Sequence, residues 1–117
     1  MPRSLYFERP DITTSQDLSA AALSFTTTIP SKFRLTEVLI HFDATTTETI
    51  TITKDSAIGA NYDTVLRKRS IVSETDFVYR PQGDSDFQSG DNLKVECTNA
   101  NALNIAYVTI KTNELGT

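Results

Sequence analysis

The sequence predicts an all-β fold, an antiparallel β-sandwich of about eight strands with a jelly-roll-like arrangement. The first observation behind this is the run Glu48 to Leu66, ETITITKDSAIGANYDTVL. Ile50 and Ile52 point to one side of it, and Thr49, Thr51 and Thr53 to the other. That is the period of a half-buried strand, in which threonine supplies β-branching without adding apolar surface to the wet face. The second observation is that short runs of the same period recur, with turn signals roughly every 8–12 residues. The third is that no segment carries the apolar spacing of a helix longer than a turn or two.

The chain opens on an arm. Leu5, Tyr6 and Phe7 form an apolar cluster between Pro2 and Pro10, and three consecutive large apolar residues cannot all be buried by one strand face. The two prolines remove backbone donors and favour an extended course. We therefore divide the chain into an extended N-terminal arm, 1–12, and a single sandwich domain, 13–117, with the arm expected to lie across a neighbouring subunit.

Within the domain, Ala20 to Phe25 has helical propensity, but Leu23, Phe25 and Thr27 continue with period two up to Pro30, so most of it reads as strand. Phe33 to Phe42 is the longest strand, with Val38, Ile40 and Phe42 on one face and Leu39 and His41 on the other. Phe33 and Leu35 have the opposite parity to Val38, which predicts a bulge near Thr36-Glu37. Asp43 to Thr47 reads as a loop, Thr49 to Thr53 as the alternating strand, and Asp55 to Asn61 as a connection carrying Gly59. Tyr62 to Val72 is a strand of mixed parity. Ser73-Glu74-Thr75 then turns into a short strand, Asp76 to Arg80, stopped by Pro81. Gln82 to Asp91 is a loop with Phe87 as its one large apolar residue. The chain closes on an expected hairpin: Leu93, Val95 and Cys97 alternate with polar residues, Asn99-Ala100-Asn101 turns, and Leu103 to Thr112 returns. In that last strand both faces are apolar, which calls for cover on both. The expected core is Val38, Ile40, Phe42, Ile50, Ile52, Val95, Cys97, Val108 and Ile110.

Composition narrows the function. At 117 residues the chain is the size of one domain. A net charge of −4 argues against a nucleic-acid surface, which needs clustered cations to replace counterions. The one basic run, Arg67-Lys68-Arg69, reads as the solvated edge of a strand, where charge discourages edge-to-edge pairing. Met1-Pro2-Arg3 leads into no signal-peptide core, and no segment approaches a membrane span. We expect a soluble chain made in a cytoplasm, with no nucleic-acid or membrane partner.

Reaction chemistry has little to build on. His41 is the only histidine, so neither a metal site nor a relay can use a second one. Cys97 has the parity of Leu93 and Val95 and is expected in the core, where a thiol stays protonated. Asp84, Asp86 and Asp91 share a loop and Asp55 and Asp63 flank another, but no EF-hand run closes either, and Asp with Gly and Ser is ordinary turn chemistry. Serine-hydrolase, P-loop and dinucleotide fingerprints are absent. The expectation is a non-enzymatic protein with no cofactor and no metal. The tyrosines and phenylalanines are scattered over different elements, as befits core and interface residues.

The run Glu48 to Leu66, with DFVYRPQGDSDFQSGDNLKVECTNAN and NIAYVTIK further on, resembles small β-sandwich virion structural proteins of tailed bacteriophages and prophages. The matching positions are Thr53 to Ser56, Gly59-Ala60, Tyr62 to Leu66, Gly90 to Val95 and Asn99 to Asn104. They fall within Phe33 to Thr112 and include no catalytic motif. The resemblance implies a virion component made in a bacterial cytoplasm. It leaves capsid decoration, head fibre and tail part unresolved, and of these we expect a capsid decoration or cement subunit. The apolar residues opposite the core predict a homo-oligomer, and the resemblance favours a trimer, in contact with other virion subunits such as the major capsid protein. The alternative is a tail or fibre component acting as a carbohydrate-binding module. The residues expected at subunit interfaces are Leu5, Tyr6 and Phe7 of the arm, with Leu39, His41, Leu103, Ile105 and Tyr107 opposite the core.

Overall fold

A computed structural model describes residues 6–28, 31–82 and 86–115, with Tyr6 to Glu8 and Leu115 described by backbone alone. Eight strands make one connected antiparallel sheet: β1 (Tyr6–Glu8), β2 (Ile12–Asp17), β3 (Leu23–Thr28), β4 (Phe33–Asp55), β5 (Thr64–Tyr79), β6 (Asp86–Phe87), β7 (Asn92–Cys97) and β8 (Ile105–Leu115). The sheet folds over on itself into a sandwich that is close to a barrel.

The 23-residue β4 organises everything else. Its first half, Phe33 to Phe42, pairs with β8, and its second half, Ile50 to Asp55, pairs with β7 on the same side. On its other side β5 follows it through both halves, and β6 adds two residues beside Phe33 and Arg34. Beyond β8 lie β1 and β2, and beyond β7 lies β3. Val38, Ile40, Phe42, Thr46, Glu48, Ile50 and Ile52 are all buried, so one face of β4 lines the core through both halves, broken only at exposed Ala44 in the bend.

All nine residues expected in the core are buried, joined by Leu18, Leu23, Phe33, Leu35, Ile71, Phe77, Phe87, Leu93 and Ala106. The parity change after Leu35 is a register shift between Leu35 and Glu37, as the sequence predicts. Phe87 stacks on Phe33 with ring centroids 4.5 Å apart, so the Gly/Ser/Asp-rich loop delivers its one large apolar side chain into the core.

The structure departs from the sequence reading in four places. Asp43 to Thr47 is not a loop: strand continues through it, and the bend is taken up by register shifts between His41 and Thr46 and between Thr46 and Glu48. Ser73-Glu74-Thr75 likewise does not end a strand. It is an irregularity within β5, with Ser73 at φ 51 and its N–H donating to Thr47 Oγ1 at 3.1 Å. Ala20 to Ala22 is a turn region rather than strand. Asp17 accepts the Ser19 N–H at 2.9 Å and its carbonyl accepts those of Ala20 and Ala21, so a side chain and a carbonyl cap the end of β2.

The fourth difference concerns the closing hairpin. β7 and β8 do not pair with each other; they flank successive halves of β4, and residues 98–104 make the corner between them. Ala102 and Asn104 sit at φ 50 and 75, in the left-handed region that asparagine tolerates. Asn101 Nδ2 donates to Thr47 O, Asn104 Nδ2 to Thr45 O and Asn99 Nδ2 to Leu18 O, so the asparagines tie this corner to β4 and to the end of β2.

Candidate functional site

The outward face of the β2–β8–β4–β5 half carries four of the eight residues expected at an interface, Leu39, His41, Ile105 and Tyr107. Pairing lines up Ser15, Tyr107, His41 and Asp76 in one row across four strands, and Thr13, Thr109, Leu39 and Val78 in the next. Tyr107 and Val78 are each 45% exposed, and Leu39 is half-buried between its neighbours. Ile105 is half-buried at the end of the same face, where its N–H donates to Asp43 Oδ1 at 2.8 Å. Leu103 is exposed in the corner loop beside Thr45 to Thr47.

Of the arm residues, Leu5 lies outside the described residues. Tyr6 and Phe7 belong to β1, which pairs with Glu114 and Leu115 of the chain's own β8, and the Arg9 N–H donates to Thr112 O at 3.1 Å. Over this stretch the arm therefore runs along its own sheet instead of leaving it. The cause is visible in the pairing: β1 and β2 are one edge strand interrupted at Pro10, which has no N–H to offer β8.

One relationship on the outward face has no sequence signal. His41 Nδ1 lies 2.8 Å from Asp76 Oδ1, and Thr75 Oγ1 donates to Asp76 Oδ2 at 2.8 Å. The hydrogen bond from His41, and after it the one from Thr75, hold the Asp76 carboxyl below its usual range. The Tyr107 ring lies 6.5 Å from the imidazole at a 29° angle. A histidine oriented by an aspartate could serve a nucleophile, but Cys97 belongs to a different region. Cys97 is buried in the core, its thiol donates to Thr98 O at 3.3 Å, and burial together with the nearby Glu48 carboxylate pushes its pKa up to about 12. The structure does not bring His41 and Cys97 together in one site.

The loop aspartates also have structural partners. Asp86 forks onto Arg34, with Nε–Oδ1 2.6 Å and Nη2–Oδ2 3.1 Å. Buried Asp91 accepts the N–H groups of Ala57 and Gln88, both at 2.8 Å, and Asp63 accepts that of Ser56 at 2.8 Å. Asp84 lies outside the described residues. Among the described residues no three His, Cys, Asp or Glu side chains gather as a metal site would require. The tyrosines stay apart as well: Tyr62 is on the loop before β5, Tyr79 is half-buried near the end of β5, and Tyr107 is on the outward face.

A second surface lies along β5. Among the described residues β5 pairs with β4 alone, so its other side is a free strand edge, and Arg67-Lys68-Arg69 lies on it as the basic run suggests. Seven large apolar side chains are left exposed among the described residues. Five of them, Ile58, Tyr62, Val65, Val72 and Val78, belong to β5 or to the loop that feeds it. That loop is stiffly held. Ser56, Ala57 and Ile58 all donate their N–H groups to side-chain oxygens, and a 3₁₀ turn spans Ala60–Tyr62. The sequence signal for this edge is the basic run itself, since charged side chains are a common feature of edge strands.

No family model and no curated protein matches the chain. Among solved structures, that of the infectious bursal disease virus Gt strain is similar over 96% of this chain and 37% of that one, at 12% identity and a TM-score of 0.25. The chain thus spans little more than a third of that neighbour's length, and a likeness of this order carries no argument about function.

Proposed function

We propose that this protein is a non-enzymatic structural subunit of a tailed-phage virion, a capsid decoration or cement protein that stabilises the particle through subunit–subunit contacts. It is made in the bacterial cytoplasm, associates with itself, as a trimer first, and contacts other virion subunits such as the major capsid protein. The observation that carries this reading is the distribution of exposed apolar side chains. The sandwich has a filled core, yet among the described residues five of its seven exposed large apolar side chains lie along β5 or the loop that feeds it, and a sixth, Tyr107, stands on the outward face in the row next to Val78. Gathered apolar surface of this kind is typical of subunits covered by neighbours. The motifs between Phe33 and Thr112 that resemble virion sandwiches support the same reading, and so does the separation of the single histidine from the single cysteine. In this reading the protein needs no cofactor, nucleic acid or membrane.

The test is to induce particles from the strain that encodes the chain, purify them on a density gradient and quantify their proteins by mass spectrometry. The proposal expects the chain in many copies per particle, in fixed ratio to the major capsid protein. Its absence from purified particles, or a copy number suited to a single tail tip, would overturn the decoration role.

A further inference from the structure

The free edge of β5 extends beyond the self-association just proposed, because its charge selects a different kind of partner. We infer that this edge takes up an extended acidic segment of another protein as an added strand.

The backbone side of the case is geometric. From Arg67 to Ile71, β5 runs in unbroken register with Glu48 to Ile52, so this stretch is regular strand with its far side unpaired among the described residues. An edge in this state offers alternate N–H and C=O groups to any extended chain that lies beside it. Exposed Val65 precedes the stretch and exposed Val72 follows it, which gives an incoming strand apolar contacts at both ends.

Charge decides which chain that is. The protein as a whole carries −4, yet Arg67, Lys68 and Arg69 stand together on this edge. Arg69 is held by Glu74 at 3.2 Å, whereas exposed Arg67 and Lys68 form no ion pair with a carboxylate among the described residues. A second copy is a poor occupant. Antiparallel self-pairing centred on Lys68 would set three cations against three cations, which is destabilising for directly opposed like charges. Moving the centre to Ile71–Val72 would bring Glu74 and Asp76 opposite the basic run. It would also carry the pairing across the irregularity at Ser73, and those carboxylates are already engaged by Arg69 and His41. The charges that bar a second copy attract a strand with Glu or Asp at alternate positions, so the edge is selective by sign.

The probe is three sets of eight-residue peptides in which valine alternates with glutamate, serine or lysine. Each is titrated into isotope-labelled protein and followed by backbone amide shifts at low and high salt. The glutamate set should bind, with shifts confined to Thr64 to Ile71, and roughly tenfold more weakly at high salt, where exposed charges are screened. The double variant Arg67→Glu/Lys68→Glu changes two exposed side chains, should keep the wild-type melting temperature, and should invert the preference toward the lysine set. The inference fails if no set binds, if the serine or lysine set binds wild type as well as the glutamate set does, or if shifts appear away from β5. It fails equally if light scattering shows wild type dimerising and the double variant monomeric, which would make a second copy the occupant. Because the peptides are tested on the isolated protein, failure here is separate from absence in purified particles.

Discussion

Glu48 and Thr98, fifty residues apart in sequence, meet at the corner between β7 and β8: Thr98 Oγ1 donates to Glu48 Oε1 at 2.7 Å. The same carboxylate accepts the N–H groups of Ala100 at 2.9 Å and Asn101 at 3.0 Å. It is a buried anion in the middle of β4, and it shapes the turn that sends the chain from one half of β4 to the other. Charge-assisted hydrogen bonds of this kind are stronger than neutral ones, and their loss leaves buried groups unpaired.

Replacing Glu48 with alanine should therefore cost about 2–3 kcal/mol of stability. Glu48→Gln, which keeps one acceptor oxygen, should lose less. Urea unfolding of the three proteins checks the order, and an alanine variant as stable as wild type would show that water replaces the carboxylate at no cost.

Cys97 should be inert in the folded protein. With its thiol buried and its pKa raised to about 12, the thiolate that attacks disulfide reagents is scarce at pH 8. Ellman's reagent should label it only after denaturation. The variant Cys97→Ser should assemble as wild type does, with a modest loss of stability from the core position. Normal folding with lost assembly would instead give Cys97 a direct role at an interface.

Acid should weaken the Arg34–Asp86 fork. The hydrogen bonds and charge of Arg34 lower the Asp86 pKa in the folded state, so near pH 4 the unfolded chain binds the proton more readily than the native one. The stability gained is present above the usual carboxylate value of about 4 and is lost as pH falls through the lower folded value. Asp86→Asn should thus be less stable than wild type at pH 7, with the gap narrowing below about pH 4. Urea midpoints at pH 7 and pH 3 read this directly, and a gap that does not change with pH would mean that the fork contributes nothing through ionisation.

Periodicity made the strands and the core legible. Ile50, Ile52, Leu93 and Val95 alternate cleanly with polar neighbours, and burial follows that alternation residue by residue. What periodicity could not supply is pairing. β7 and β8 look like a hairpin because they are adjacent in sequence, but each finds its partner in β4, whose continuity through Asp43 to Thr47 rests on long-range bonds. The same limit hid the candidate surfaces. His41 meets Asp76 only once β4 and β5 are in register, and Arg67 to Arg69 becomes a selective edge only once β5 is seen to lack a second neighbour. Leu39, Ile105 and Tyr107 could be assigned to an outward face because parity alone places them opposite the core.

In its proposed role this sandwich stabilises a particle by covering and being covered. That role is tested most directly by heating the heads induced from the encoding strain with and without the protein, made by deleting the gene and adding purified protein back. The temperature at which heads open and release their DNA should fall on deletion and return at saturating protein, in proportion to the copies bound. Heads that open at the same temperature with no protein and with saturating protein would contradict that role.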